Sequence, residues 1–366
     1  MTSGTAERIE AAAEAKLREG CKTGVFPGAS VSVAFHGQGG WSVLDLAQGT
    51  REPGGSAVEP ATVYDLASLT KPWVAMTAIS LHQAGRFDLD GKVSVLVPEA
   101  ARQPIGERRW EEVLTHRSGL EAWHSFYDEI PAEPGSEETR AWVLEALLPR
   151  WEAKRVGTSV YSDLGYILAG VALERGTGST LDALVSERMA APLGVDDEVF
   201  FGSANRDGEW PARCAPTGLS AWRNRALVAE VHDDNCFALG GVAGHAGMFG
   251  TARAVRAFGC AWVSAWHGRR GALEEEAIQF ATAERPGGTH RLGWDGKAEA
   301  DSSAGSRMGP RAFGHLGFTG TSLWCDPDRE LVVVLLTNRV AVSDDNAAIR
   351  AFRPAFHDAV VEAFDG

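Results

Sequence analysis

One serine in the chain is followed by a lysine three residues later: Ser68 precedes Lys71 within residues 65–73. Residues i and i+3 lie on the same side of a helical turn, so this spacing brings a hydroxyl and an amine together. A serine hydroxyl becomes a useful nucleophile when a nearby base takes its proton, and a desolvated lysine can be that base. The pair therefore indicates nucleophilic catalysis. Because so short a pattern also arises by chance, the surrounding residues must support it.

The residues around Ser68 predict a strand that turns into a buried helix. Residues 62–66 alternate like a short strand. Pro72 lacks a backbone N–H and suits the first turn of a helix, residues 72–81 are almost all apolar, and Gly85 provides a C-terminal stop. Ser68 would then lie near the unpaired N–H groups and the positive dipole end of the helix. The same sequence also fits a serine that caps a helix, followed by a surface lysine.

Size and composition describe a globular protein with two units. At 366 residues the chain exceeds what one hydrophobic core usually organises, so two domains or one domain with a large insertion is expected. The 35 basic and 49 acidic residues give a net charge of −14, which argues against nucleic acid or an anionic membrane as a partner. The sequence has no apolar run long enough to predict a membrane span. It leaves the oligomeric state open.

Cysteine usage and the N-terminal residues indicate a cytoplasmic protein. The five cysteines are scattered and include no C-x-x-C pair, so neither a disulfide framework nor a zinc knuckle is expected. The first residues contain no basic region followed by an apolar one, which argues against a standard secretion signal. We therefore expect reduced thiols, a cytoplasmic location, and neither a metal nor another cofactor.

Strand patterns lie near both ends of the chain, and helical patterns lie between them. Residues 5–19 predict an amphipathic helix, and residues 29–46 predict a β-hairpin. The next long segment alternates helical patterns with irregular connections. We therefore expect an α/β (α+β) fold in which an antiparallel sheet domain, built from residues 1–85 and 236–366, is interrupted by a mostly helical inserted domain, residues 86–235.

The C-terminal segment predicts a second hairpin and a final helix. Residues 314–323 and 331–336 would be its strands, joined by a turn at residues 325–330. The second of these strands is apolar throughout, so we expect it to be buried on both faces. Residues 344–364 predict a helix with a kink at Pro354.

Two further stretches, taken together with the Ser68 motif, indicate a known family. Residues 160–166 place Tyr161 just before a helix, and residues 313–321 open the penultimate strand. Serine-x-x-lysine, tyrosine-x-asparagine and lysine-threonine-glycine, in this order, mark the penicillin-recognising serine hydrolases. From about residue 25 to 340, the chain resembles the branch that contains class C β-lactamases, family VIII esterases and D-alanyl-D-alanine carboxypeptidases. The resemblance implies a β-lactamase/transpeptidase-like fold.

The resemblance also implies a role for individual residues of the three motifs. Ser68 would be acylated, Lys71 would be its base, and Tyr161 would carry a proton to the leaving group or from the deacylating water. The backbone N–H groups of Ser68 and Phe318 would form the oxyanion hole. Gly317 would keep the strand edge open for substrate. The substrate would be a small ester or amide, and no cofactor would be needed.

Three residues depart from the family motifs. Asp163 replaces the asparagine of the second motif and places a negative charge beside Lys71. His315 replaces the lysine of the third motif, so a side chain that titrates near neutrality stands in for a fixed cation. Leu316 replaces the threonine whose hydroxyl is expected to hold a substrate carboxylate. The predicted substrate-binding residues are Asp163, His315, Gly317 and Phe318.

These departures favour an esterase over a β-lactamase, because His315 and Leu316 weaken the carboxylate site. The alternatives are a β-lactamase or D-alanyl peptidase, an enzyme that transfers the acyl group to an alcohol or amine, and a sensor that is acylated and never turns over. No residue separates hydrolysis from acyl transfer. The intact set of Ser68, Lys71 and Tyr161 argues against the sensor.

Three other residues have plainer interpretations. His245 lies within the glycine-rich residues 241–247 and is expected to serve a tight turn or packing. His116 lies within residues 114–120 and is expected to help cap a helix end. Both stretches also resemble the same branch of the family. Trp294 fits either a pocket wall or the hydrophobic core.

Overall fold

The computed structural model describes residues 3–202 and 209–366, with strands near both ends of the chain and helices throughout. The strands are β1 Gly28–Gly37, β2 Gly40–Gly49, β3 Tyr64–Asp65, β4 Val199–Phe201, β5 Gly218–Ser220, β6 Arg225–Leu227, β7 Met248–Gly250, β8 Asp295–Gly296, β9 Phe313–Leu316, β10 Ser322–Asp326 and β11 Leu331–Thr337. The helices are α1 Ser3–Lys22, α2 Thr70–Gln83, α3 Val93–Leu96, α4 Trp110–Leu114, α5 Glu137–Leu147, α6 Asp163–Thr177, α7 Leu181–Val185, α8 Trp210–Arg213, α9 Asp234–Ala238, α10 Ala252–Trp266, α11 Glu275–Thr282 and α12 Ala347–Asp365.

The two ends of the chain meet in one antiparallel sheet. Its strands follow the order β2-β1-β11-β10-β9-β8, and each is antiparallel to its neighbours. The predicted N-terminal hairpin therefore pairs directly with the last strand of the chain. An antiparallel sheet flanked by helices confirms the predicted α/β (α+β) fold class.

The strand β11 lies between β1 and β10 and is buried on both faces, as predicted. Its side chains alternate between two hydrophobic clusters. Val332 and Val334 pack in the larger cluster with α2 and α10, whereas Val333 and Leu335 pack in the smaller one with α1 and α12. Burying each such side chain stabilises the fold by about 1.5–3 kcal/mol. A strand covered on both sides therefore needs an uninterrupted apolar sequence.

The prediction of one continuous strand over residues 314–323 is wrong. The strand β9 ends at Leu316, and β10 begins at Ser322. Between them, residues 317–321 form a tight loop in which the Gly317 N–H donates to the Thr321 carbonyl at 2.8 Å. Gly320 in this loop has a φ of +113°, a conformation that favours glycine. Phe318, Thr319 and Thr321 are residue types that strands favour, and they concealed this turn.

The helices of residues 86–235 share a hydrophobic core with the sheet. One hydrophobic cluster contains side chains of α2, α4, α6 and α10 together with the face of the sheet on which Val332 and Val334 lie. A second, three-stranded sheet in the order β3-β7-β4 lies against this core and leads the chain toward residue 68. The division into two domains stays a prediction. Among the residues that the structure describes, no helix combines the length and the apolar character needed to cross a bilayer.

Candidate active site

Ser68 lies in a short 3-10 turn, Ala67–Leu69, that leads directly into α2. Neither helical segment has a side-chain cap, so the alternative of a capping serine is wrong. The preceding residue, Ala67, has a φ of +47°, a region in which a residue with a Cβ is strained. Asp65 supports this turn, because its Oδ1 accepts a hydrogen bond from the Ala67 N–H at 2.8 Å. Ser68 therefore sits on a strained turn that its neighbours hold in place.

Lys71 is fully buried, and its ammonium group has three acceptors. Nζ lies 2.8 Å from Ser68 Oγ, 2.7 Å from Asp163 Oδ1 and 3.0 Å from the carbonyl oxygen of His245. A buried charge is tolerated when it is paired and its donors are satisfied, as they are here. The structure thus brings the serine and lysine of the first motif together with Asp163.

The charge state of Lys71 follows from this setting. Burial lowers its pKa, but the attraction of Asp163 and Tyr161 together with their hydrogen bonds outweighs burial, so the pKa lies above its ordinary value. Lys71 is therefore protonated at neutral pH in the resting protein. Before it can accept a proton from Ser68 it must release one, and Asp163 and Tyr161 are both within hydrogen-bonding reach.

Tyr161 completes a cluster with Ser68 and Lys71. Its hydroxyl interacts with both side chains, and its ring centroid lies 4.9 Å from Lys71 Nζ. Tyr161 comes just before α6, where Ser162 Oγ caps the helix by accepting from the Gly165 N–H. Burial raises the pKa of Tyr161, so the phenol is neutral at pH 7. A neutral phenol both donates and accepts, as a proton carrier must.

Three histidines surround the Tyr161 ring. The ring centroids of His116, His290 and His315 lie 4.8, 5.5 and 5.8 Å from the Tyr161 centroid, and burial lowers the pKa of all three. His116 follows α4 with a φ of +62°, which suits a residue at a helix end. Its Nδ1 also accepts from the Ser162 N–H at 3.0 Å and so fixes the backbone beside Tyr161. The sequence did not predict this second role.

The expectation that His315 titrates near neutrality is wrong. Burial, followed by the charge of Lys71, lowers the pKa of His315 to about 3, so the ring is neutral at pH 7. Its Nδ1 lies 2.8 Å from the carbonyl oxygen of Leu316. A carbonyl can only accept, so Nδ1 carries the proton and Nε2 is left as an acceptor. The position therefore offers an acceptor where the family motif has a cation.

Two threonines tie the loop of residues 317–321 to the turn that carries the serine. Thr319 Oγ1 donates to the carbonyl oxygen of Asp65 at 2.7 Å, and Thr321 Oγ1 donates to that of Leu66 at 3.1 Å. All four residues are buried. These hydrogen bonds fix the loop and the turn relative to each other.

Gly317 and Phe318 lie beside the Ser68 turn. A Cβ at Gly317 would come within 2.5 Å of the Leu66 carbonyl oxygen, so only glycine permits this close approach. Phe318 lines the same pocket as Ser68, and its side chain is 47% exposed. The assignment of the Ser68 and Phe318 N–H groups as oxyanion donors stays a prediction. The turn that carries Ser68 and the loop that carries Phe318 are held close together, and two N–H groups that bind one oxyanion must be close together.

Next to Lys71, His245 pairs with Asp233, a residue that the sequence analysis did not single out. His245 Nε2 is 2.9 Å from Asp233 Oδ1, and Asp233 also caps α9 by accepting from the Cys236 N–H at 2.7 Å. Although burial raises the pKa of Asp233, its contact with His245 and its hydrogen bonds hold the pKa at about 2. His245 does pack in a tight turn, but its carbonyl also orients Lys71. In the sequence, only the resemblance of the glycine-rich residues 241–247 to the family could have indicated that His245 lies at the site.

Ser68 and the loop residues Gly317 and Phe318 line a pocket of about 400 Å³. It contains six of the predicted site residues, while Lys71 is buried behind Ser68. Side chains from α12 form another part of its wall, and the sequence did not predict that this helix contributes to the site. Trp294 does not line this pocket: it packs in the core, 4.9 Å from Trp262 between ring centroids. Within the described ranges, no group of His, Cys, Asp and Glu side chains is arranged to hold a metal ion. The predicted site residues in the pocket are Ser68, Tyr161, Asp163, His315, Gly317 and Phe318.

Comparison with known proteins places this chain in a family. The sequence model of the Beta-lactamase family matches residues 11–354. A protein of Escherichia coli strain K12, named as a candidate D-alanyl-D-alanine carboxypeptidase, is 28% identical over 302 residues, which cover 76% of this chain and 69% of that protein. The N-acetylmuramyl-L-alanine amidase of Bacillus subtilis strain 168 is 30% identical over 304 residues, which cover 76% and 68%.

A solved structure shows the same fold. EstCE1, described as a hydrolase with promiscuous acyltransferase activity, aligns with a TM-score of 0.74 over 97% of this chain and 99% of that chain, at 18% identity. The chain therefore belongs to the Beta-lactamase family and has the β-lactamase/transpeptidase-like fold. The resemblance drawn from the three motifs is confirmed. Members of this family are serine hydrolases.

Proposed function

We propose that the protein is a hydrolase that forms an acyl-Ser68 intermediate with small esters or amides, and that short neutral esters are its preferred substrates. The observation that carries this proposal is the hydrogen bond of 2.8 Å between Ser68 Oγ and Lys71 Nζ at the pocket. The Tyr161 hydroxyl interacts with both residues. A nucleophile, a base and a proton carrier within hydrogen-bonding reach are what covalent acyl transfer requires.

Acylation begins once the cluster of Lys71, Tyr161 and Asp163 has released one proton. Ser68 Oγ attacks the substrate carbonyl carbon, its proton passes to Lys71, and the carbonyl oxygen becomes an oxyanion. The N–H groups of Ser68 and Phe318 stabilise this charge. When the intermediate collapses, the proton passes through Tyr161 to the leaving oxygen, the alcohol departs, and acyl-Ser68 remains.

Deacylation uses the same groups in the opposite direction. Water attacks the acyl carbon, and its proton passes to the cluster of Lys71 and Tyr161. As the second tetrahedral intermediate collapses, Ser68 Oγ leaves and recovers that proton, and the carboxylic acid is released. An alcohol or amine in place of water would give acyl transfer through identical steps.

Neutral esters are favoured because the third motif offers no group that attracts a carboxylate. His315 is neutral, its Nε2 is an acceptor, and Leu316 has no hydroxyl. An acceptor next to a carboxylate forms no hydrogen bond with it. A short ester has no such charge to accommodate.

A D-alanyl peptide is the second candidate, because α12 and the residue before it bring two polar side chains into the pocket. Arg350 and Asn346 both line it. Arg350 is exposed, and no other described side chain pairs with it, so its guanidinium is available to a substrate carboxylate. The name of the Escherichia coli relative supports the same substrate class.

Intact-mass spectrometry with three substrate classes tests the proposal. Wild type, Ser68→Ala and the control Ser94→Ala would be incubated with p-nitrophenyl esters, nitrocefin and D-alanyl peptides. We expect wild type and Ser94→Ala to gain one acyl mass and to release product repeatedly, and Ser68→Ala to do neither while remaining folded. Acylation of Ser68→Ala at the wild-type level would remove Ser68 from the mechanism. One equivalent of product without turnover would indicate the acyl-binding sensor instead.

A further inference from the structure

Arg353, on α12, closes the loop of residues 317–321 at its base. Its Nη2 donates to the carbonyl oxygen of Gly317 at 2.6 Å and to that of Thr321 at 2.8 Å. These two residues are the ends of the loop, and a backbone hydrogen bond also joins them. One guanidinium nitrogen therefore holds both ends of the segment that contains Phe318.

The Gly317 carbonyl belongs to the same peptide unit as the Phe318 N–H. A trans peptide is planar, and its carbonyl and N–H point in opposite directions. A donor that fixes the carbonyl therefore also fixes the direction of the N–H. A cationic donor on the carbonyl also polarises the peptide and makes the N–H a stronger hydrogen-bond donor.

A second arginine acts on the next peptide unit. Arg339 donates to the Phe318 carbonyl from Nε at 2.9 Å and from Nη2 at 2.7 Å. Its guanidinium also lies 4.3 Å from the centroid of the Phe318 ring. The peptide units on both sides of the Phe318 Cα are thus held by side-chain guanidinium groups.

Arg353 is a buried cation without a counter-charge. It is 4% exposed, and no described carboxylate lies within ion-pairing distance of it. Burial, together with the charge of Arg339, lowers its pKa, but a guanidinium remains charged at neutral pH. A buried charge without an anionic partner is costly. Its positive potential acts on the loop carbonyls and on the pocket, which Arg353 also lines.

We infer that Arg353 is a positioning residue that aims and polarises the Phe318 N–H, and that it supplies the positive charge that His315 does not. This inference rests on the proposed acyl-Ser68 chemistry. An anion that forms at the Phe318 N–H meets a peptide dipole whose far end is bound to a guanidinium. The site can therefore stabilise an oxyanion although the third motif carries no cation.

Variants of Arg353 separate its charge from its hydrogen bonds. Arg353→Met removes both, Arg353→Gln keeps a donor without a charge, and Arg353→Lys keeps the charge without the planar fork. The control is Arg329→Gln, which breaks the contacts of 2.9 Å that Arg329 makes with Asp365, at the far end of α12, and with Asp326. Arg329 has no hydrogen bond to the described residues of the loop. The control should lose thermal stability and keep wild-type kcat and KM.

We expect Arg353→Met to lower kcat for a p-nitrophenyl ester about 10- to 100-fold, somewhat less than loss of an oxyanion donor itself. KM should stay within about twofold of wild type, because the lost interaction acts in the transition state. Arg353→Lys and Arg353→Gln should each recover part of kcat. In the Arg353→Met background, His315→Lys should restore part of kcat by returning a cation to the third motif. Absence of that restoration would overturn the charge part of the inference.

The infrared band of the acyl carbonyl provides a readout that a merely structural role would not move. With a ¹³C-labelled, slowly hydrolysed ester, the band of wild-type acyl-Ser68 should lie below that of the denatured acyl-enzyme, because hydrogen bonds weaken the C=O bond. In Arg353→Met the band should shift toward the position of the denatured acyl-enzyme. If Arg353→Met does not fold, the same measurement is made with Arg353→Gln. If kcat and the position of the infrared band are both unchanged in a folded variant, the inferred role of Arg353 is overturned and the proposed function is not. Absence of acyl-Ser68 in wild type would instead overturn the proposed function.

Discussion

Lys71, which is buried, and Asp163, which is partly exposed in the pocket, form an ion pair in which 2.7 Å separates Nζ from Oδ1. The family motif has asparagine at this position, so one changed side chain creates the pair. Burial alone would lower the pKa of Lys71, and the attraction of Asp163 is the largest of the opposing effects that raise it. Asp163 therefore sets the pH at which Lys71 can act as a base.

Asp163→Asn should shift the pH dependence of ester hydrolysis to lower pH. Removing the negative charge lowers the pKa of Lys71, so more of the enzyme has a deprotonated base at a given pH. We expect the rising limb of kcat/KM to move down in pH, as measured by initial rates across the neutral and alkaline range. Asp182→Asn, on the short helix α7, should leave the limb in place. If the rising limb of kcat/KM for Asp163→Asn stays at the same pH or moves to higher pH, Lys71 is not the base whose pKa this limb reports.

Lys71→Ala and Tyr161→Phe should each lower turnover by roughly 10²–10⁴-fold, because both carry the proton of Ser68. Since the two act as a unit, the double variant should lose far less than the product of the single losses. Steady-state kinetics of the three variants and of the control Tyr127→Phe checks this. Losses that multiply would show that the two residues do not share one proton path.

Short neutral esters should exceed nitrocefin by at least about tenfold in kcat/KM. Losing a hydrogen bond to a charged group costs about 1.5–3 kcal/mol, and neither His315 nor Leu316 can donate one to a carboxylate. The double substitution His315→Lys with Leu316→Thr should narrow this difference. If wild type prefers the lactam, β-lactamase becomes the leading function, with Arg350 as the carboxylate-binding residue.

Gly317→Ala should lower both stability and kcat. The new Cβ would meet the Leu66 carbonyl oxygen at 2.5 Å as well as Thr321 Oγ1, so the loop must move away from the Ser68 turn. Overpacking of this kind costs about 1–3 kcal/mol. Thermal unfolding and ester kinetics measure the two effects. Gly37→Ala, where a Cβ meets no atom within 4 Å, is the matched control, and equal behaviour of the two variants would show that the close approach is unimportant.

Several features of the site were predictable because they depend on local geometry. The contact of Ser68 with Lys71 follows from the i, i+3 spacing of one helical turn, and the burial of β11 follows from its unbroken apolar sequence. Where the local signal was ambiguous, the prediction was wrong. The turn at residues 317–321 contains Phe318, Thr319 and Thr321, which also suit a strand, so the sequence predicts one continuous strand across its two glycines.

The sequence by itself determined the order of the three motifs, the family that they identify, and the residues at which this chain departs from it. Only the tertiary structure decided what those departures do, because a pKa depends on burial and on charges that distant segments bring nearby. Burial makes His315 neutral, and Asp163 keeps Lys71 protonated. Arg353 reaches the loop of Gly317 and Phe318 only because the last helix packs against the sheet, a contact that no local pattern encodes.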